Sequence, residues 1–168
     1  MTRIVKIFAS IMMSACYLTM ITGCGNPSIQ EADIAKTSLS GNFSGKTFTV
    51  KSGSVSKAGS DYIFTLRNYE WKCTGNTQGP PADALLVSFS SLNKKAGLET
   101  ITLGSQHAAS LQEGVGSSAN QAKTTPVESG LLRLDNWSEK VGESIKGALL
   151  FKAENIQVNG TFTATICK

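Results

Sequence analysis

The strongest constraint on this chain is a two-residue alternation of apolar and polar side chains in short runs, with Gly, Ser and Asn between the runs. Leu85, Val87 and Phe89 alternate with Leu86, Ser88 and Ser90, and Phe162, Ala164 and Ile166 alternate with Thr161, Thr163 and Thr165. A period of two puts each set on one face of a sheet. Five further runs, Lys46 to Lys51, Asp61 to Trp71, Leu98 to Leu103, Leu131 to Asp135 and Ala148 to Lys152, have strand composition and are bounded by turn residues. About seven or more short strands with no long helical period predict an all-β domain, either an antiparallel β-sandwich or a small barrel.

A chain of 168 residues, 40% hydrophobic and 17% charged, fits one globular domain, which we place at residues 42–168. Asn159-Gly160 reads as a hairpin turn between Ile156-Gln157-Val158 and the last strand, since both residues tolerate positive φ. A bulge or bend inside one long strand is the alternative use of that glycine. Residues 104–130 are dense in Ser, Ala, Gly and Gln without a sustained period. They are expected to form a long loop, with a short helix around His107 to Glu113 able to interrupt it. Residues 24–41 read as a tether, and a short helix could lie between Gln30 and Leu39.

The first residues carry a different kind of signal. Arg3 and Lys6 precede Ile7 to Ile21, a stretch without a charged side chain. A basic start followed by such a stretch has the form of a signal peptide, although its length approaches the ~17 to 25 residues of a membrane-spanning helix. The end of the run separates the two. Ile21-Thr22-Gly23-Cys24 resembles the lipobox of bacterial lipoproteins, in which small residues let the processing enzymes reach the backbone beside the cysteine thiol. The resemblance covers residues 1–24 and implies an address, not a fold. It implies that residues 1–23 are a signal peptide and that Cys24 becomes a lipidated N-terminus carrying diacylglycerol and a further acyl chain such as palmitate. Each buried CH₂ of such an anchor contributes ~0.8 kcal/mol. Gly25 stands where Asp is the inner-membrane retention signal in the enterobacterial form of the family, so the expected place is the outer membrane, facing the periplasm, with surface exposure as the variant. A Gram-positive origin would move the anchor to the outside of the single membrane.

Cysteine use agrees with export. Cys16 leaves with the signal peptide and Cys24 takes the lipid, which leaves Cys73 and Cys167. In an oxidising compartment an even pair in a small domain is most simply a disulfide. Charge is less informative. Without Arg3 and Lys6 the net charge of +4 falls to about +2, and the basic residues are scattered except for Lys94-Lys95, so the sequence gives no reason to expect nucleic acid as a partner.

Catalytic chemistry is hard to place. His107 is the sole histidine and lies in the soft 104–130 segment, which speaks against a Ser-His-Asp or Cys-His arrangement and against zinc. Gly41-Asn42-Phe43-Ser44-Gly45-Lys46-Thr47 imitates a phosphate-binding loop, but it has three residues between its glycines where the motif needs four, and it runs on into strand. Glu139 and Glu143 share i, i+4 spacing on what could be a helical turn, with nothing beside them to make an acid/base pair. No cofactor is expected.

Aromatic residues supply the one candidate binding site. In Tyr62 to Trp71, strand parity puts Phe64 and Leu66 on one face and Arg67, Tyr69 and Trp71 on the other. If the first face is core, the second offers rings and a guanidinium to a sugar, a peptide or a protein surface. The leading expectation is thus a non-enzymatic, membrane-anchored envelope lipoprotein whose β domain binds or supports an envelope protein or glycan. An envelope hydrolase and a carrier of a small lipophilic ligand are the rivals.

Overall fold

The computed structural model describes residues 28–43, 45–74, 79–91, 93–104, 108–114 and 122–168. Among them lie eleven strands: β1 (Ser40–Phe43), β2 (Lys46–Thr49), β3 (Ser52–Ala58), β4 (Asp61–Arg67), β5 (Leu85–Ser91), β6 (Gly97–Thr102), β7 (Ala109–Glu113), β8 (Lys123–Pro126), β9 (Ser129–Leu134), β10 (Ser144–Ala153) and β11 (Ile156–Ile166). The expected all-β class holds. Strand order is β6-β9-β10-β11-β3-β4-β5-β7-β8, with β1 and β2 branching from β11. The sheet is open, so the architecture is sandwich-like and not a barrel. It is also mixed, because β11 meets β3 in parallel through Thr165 opposite Ser54 and Ile166 opposite Val55.

Aromatic packing shows how the sheet folds over itself. Phe64 of β4 and Phe89 of β5 stack at 4.7 Å. Phe89 meets Phe151 of β10 edge-on at 5.6 Å and Phe162 of β11 at 5.7 Å. These rings are 4% exposed or less, and each buried Phe contributes about 1.5 to 3 kcal/mol of transfer free energy. The apolar members of the alternating sets therefore face one another across a single core.

The longest strand, β11, organises the rest. One of its edges pairs with β10 from Ala153 opposite Ile156 to Ser144 opposite Thr165. The other edge is shared, with β1 at Gln157 to Asn159 and β3 at Thr165 and Ile166. Between these two partners the sheet forks.

Several expectations are corrected. Asn159-Gly160 is not the hairpin turn: both lie inside β11, and the chain reverses at Glu154-Asn155, where Glu154 has φ +48°. Gly160 serves a close approach instead, because the N-terminal segment crosses it and Thr161 N donates to Thr37 O at 2.8 Å. No helix forms between Gln30 and Leu39 beyond the 3₁₀ turn Glu31–Asp33. The short helix expected from His107 to Glu113 is replaced by strand β7, with His107 itself outside the described residues.

Nor are residues 28–41 a free tether. Ile34 is buried against Leu131, Ala148 and Leu150 on the outer face of β9 and β10, Leu39 lies in the main core, and β1 begins at Ser40. Packing of these spaced apolar residues outweighs the turn-rich composition, since an exposed Ile or Leu forgoes the gain of burial.

Candidate functional site

Strand parity in β4 follows the sequence. Tyr62, Phe64 and Leu66 are buried, while Ile63, Thr65 and Arg67 face outward. Arg67 ends the strand, opposite Ser52 of β3 and Leu86 of β5. Its guanidinium carbon lies 4.3 Å from the centroid of the Trp71 ring. Arg67 Nη1 donates to Ser54 Oγ at 2.8 Å and to Thr65 O at 3.0 Å. Burial lowers the Arg67 pKa from its ordinary value, and the Tyr69 hydroxyl acts in the opposite sense. The side chain stays cationic, because guanidinium deprotonates far above neutral pH.

Beyond the strand, the backbone is held at two places. Ser52 Oγ donates to Tyr69 O at 2.6 Å, and Cys73 forms a disulfide with Cys167, Cα to Cα 5.2 Å. Arg67, Tyr69 and Trp71 are all half-buried. The expected strand to Trp71 stops at Arg67, so Tyr69 and Trp71 are placed by the segment after β4 and not by strand parity, and one face of the Trp71 ring is already covered by the guanidinium. The group is a stacked cation–aromatic pair with one further ring, held in place from both sides.

Next to it is a feature that no local motif announces. At the fork of β11 a cleft of about 450 Å³ opens, lined by residues including Lys51, Ser52, Asp135, Lys146, Thr161 and Thr163. Ser52 belongs to both places, since it lines the cleft and is the cross-strand partner of Arg67. Asp135 accepts from Arg133 Nε at 2.8 Å, and Arg133 also pairs with Glu31 at 3.3 Å. A second cleft, of about 390 Å³, lies between the ends of β5, β6, β7 and β8 and is lined largely by Ile63, Phe89, Leu103, Ala109, Pro126 and Val127.

The remaining candidates separate. Cys24 and His107 lie outside the described residues. Gly41 to Thr47 belong to the β1–β2 hairpin, in which Asn42 is opposite Thr47, so the resemblance to a phosphate loop has no helix behind it. Glu139 and Glu143 are not on a helix. Glu143 accepts from Ser138 Oγ at 2.6 Å and pairs with Lys140 at 3.4 Å, and these contacts hold its carboxyl below the usual range. Glu139 instead acts on Tyr62, whose pKa is raised first by burial and then by this carboxylate. With separate partners the two carboxylates do not form an acid/base pair. Among the described residues no group of three or more His, Cys, Asp or Glu side chains is placed to hold a metal ion.

The chain shows no significant match to any protein-family model, to any curated protein or to any solved structure.

Proposed function

We propose that this protein is a lipid-anchored component of a bacterial envelope, and that its β domain is a non-enzymatic binding module for an envelope glycan or protein. The observation that carries the binding part is the Arg67–Trp71 stack, seated on Ser54 and beside a polar cleft. A half-buried ring, a cation and nearby hydroxyls suit a ligand with alternating apolar and polar surface, as sugars and peptide segments have. Support for export comes from the Cys73–Cys167 disulfide, a bond that persists in oxidising compartments. The anchor rests on Ile21-Thr22-Gly23-Cys24. Among the described residues no helix is long and apolar enough to cross a membrane.

Metabolic labelling with a palmitate analogue, followed by membrane fractionation, tests the anchor. Wild type should carry label and sediment with membranes, and Cys24→Ser should lose both. A Cys24→Ser protein that is labelled and sediments like wild type would remove the anchor from the reading. For the binding module, a photo-crosslinking residue at position 69 in intact cells should capture a discrete envelope species, and a yield no higher than from an exposed position such as Lys57 would count against it.

The second cleft favours one rival, a carrier of a lipophilic ligand, because Leu103 at its rim is 63% exposed. Displacement of a fluorescent fatty acid by unlabelled lipid, abolished in Leu103→Glu, would support that rival in place of the glycan reading.

A further inference from the structure

We propose that the cleft at the fork of β11 is a subsite for a sugar acid, a hydroxylated ring carrying a carboxylate. This deepens the glycan reading above and rests on it.

The cleft exists because β11 changes partners. Its edge is taken by β1 up to Asn159, by Thr37 to Leu39 at Thr161 and by β3 from Thr165, and the Val50-Lys51 connection between β2 and β3 runs beside Leu39. Between β1 and β3 three kinds of surface meet. The floor is the backbone of Phe162 and of Gly147, its register partner on β10, since the Phe162 ring turns to the opposite face of the sheet and is buried in the core. Any Cβ at position 147 would come within 2.8 Å of the Phe162 ring on the core face, so the absence of a side chain there lets that ring pack beneath the two strands. The walls are hydroxylic, with Thr161 and Thr163 on β11 and Ser52 across the gap; Ser52 Oγ donates to Tyr69 O and Thr161 Oγ1 to Thr37 O, so these two offer a ligand their acceptor lone pairs. The rim is cationic, with Lys51 on one side and Lys146 on the other.

Charge bookkeeping decides the ligand's sign. Among the described residues the one carboxylate lining the cleft, Asp135, accepts a hydrogen bond at 2.8 Å from Arg133, a guanidinium it shares with Glu31, and stands against two lining lysines. Lys51 and Lys146 form no ion pair with a carboxylate among the described residues. The cleft is therefore net positive. The backbone that carries Lys146 is held, because Lys146 N donates to Asn136 Oδ1 at 2.7 Å while Asn136 Nδ2 donates to Ser144 O at 2.9 Å.

Hydroxyl walls and a cationic rim complement a sugar ring with a hydroxylated edge and one carboxylate. Lysine meets a carboxylate as a point charge without imposing bidentate geometry. The volume of about 450 Å³ falls inside the ~300 to 1,000 Å³ typical of small-ligand sites. Because Ser52 joins the cleft to Arg67, a chain of such sugars could run from the cleft toward Trp71.

Calorimetric titration of the full chain in mild detergent tests this, with oligogalacturonate as the acidic probe and a neutral galactose oligomer of equal length beside it. The acidic probe should bind and weaken as salt rises, and Lys51→Gln or Lys146→Gln should each weaken it by about tenfold. Thr163→Phe, which fills the cleft without changing charge, should abolish binding, and Lys123→Gln on β8 should leave it unchanged. Matching circular dichroism and unfolding midpoints would show that the variants are folded. Binding of the acidic probe that is indifferent to all three cleft variants would overturn the subsite, and sensitivity to Trp71→Ala in that case would keep the broader glycan reading. Equal affinity for both probes would overturn the charge assignment, and no binding of either would overturn the glycan part as well. Lipidation of Cys24 is read by a separate experiment and is untouched by these outcomes.

Discussion

Gly160 lies directly against the backbone of Leu39. A Cβ placed on Gly160 would come 2.7 Å from Leu39 Cα and 2.6 Å from the Thr37 carbonyl oxygen, and the residue has φ +138°. The N-terminal segment reaches the core only because position 160 has no side chain: Leu39 N donates to Thr161 O at 2.8 Å, and the Leu39 side chain is fully buried. Gly160→Ala must lift this segment and also force a backbone conformation that L-residues avoid. We expect a loss of about 2 to 3 kcal/mol or more in urea unfolding. An alanine variant with the wild-type midpoint would contradict the crossing.

The disulfide joins residues 94 positions apart, so it restricts most of the unfolded chain. The chain-entropy model puts its contribution at about 4 to 5 kcal/mol. Digestion without reduction should yield a Cys73–Cys167 linked peptide, and Cys73→Ala with Cys167→Ala should lower the unfolding midpoint strongly. Recovery of both cysteines as free thiols from freshly isolated, alkylated protein would refute the bond.

How much of this was legible in the sequence depended on whether packing was local. β5 and the last half of β11 have one face in the core and one facing outward, so their alternation was plain. β3 was invisible: of Ser52–Ala58 only Val55 and Ala58 are apolar, and yet Ser54 is 5% exposed because Arg67 bonds and covers it. β7 and β8 are short, polar strands near the end of the sheet and resemble loop in composition. The N-terminal segment had a readable clue elsewhere. Ala148-Leu149-Leu150-Phe151 is apolar without alternation, the mark of a strand covered on both faces, and the cover on its outer face is Ile34. Of the candidate site, parity holds only as far as Arg67, where β4 ends; Tyr69 and Trp71 lie beyond the strand, and Trp71 reaches Arg67 through the segment that follows it. The fork cleft was not legible, because Lys51 and Lys146 are distant in sequence and are brought together by the pairing of β3 and β10 on either side of β11.

Tyr62 offers a test of the packing near β4 by titration. Burial, and then the hydrogen bond and negative charge of Glu139, raise its pKa above the ordinary value of 10.0. A raised pKa means that the folded state holds the phenolic proton more tightly than the unfolded state. The resulting stability is complete below the unfolded pKa and is lost as pH rises through the folded value. Ultraviolet titration should therefore show one tyrosine ionising late, and Glu139→Gln should move it part of the way back. An unchanged Tyr62 titration in Glu139→Gln would remove the carboxylate from its environment.

The Arg67–Trp71 stack is the feature on which the binding proposal depends, and fluorescence can isolate it. The chain has two tryptophans, so Trp137→Phe leaves Trp71 as the sole reporter. That background should be tolerated, because Trp137 Nε1 is buried without a hydrogen-bond partner among the described residues, and Phe removes the unsatisfied donor. With one ring face under the guanidinium, Trp71 should show acrylamide quenching between that of a buried and a free indole. Arg67→Ala exposes that face and should raise quenching, at a cost of about 1 to 2 kcal/mol from the lost stack and the Ser54 hydrogen bond. Arg67→Met keeps much of the aliphatic cover and removes the charge, so it should restore protection without restoring the full stability. Quenching that is the same in wild type and Arg67→Ala would show that the ring is shielded by something else, and the face would then present the guanidinium alone.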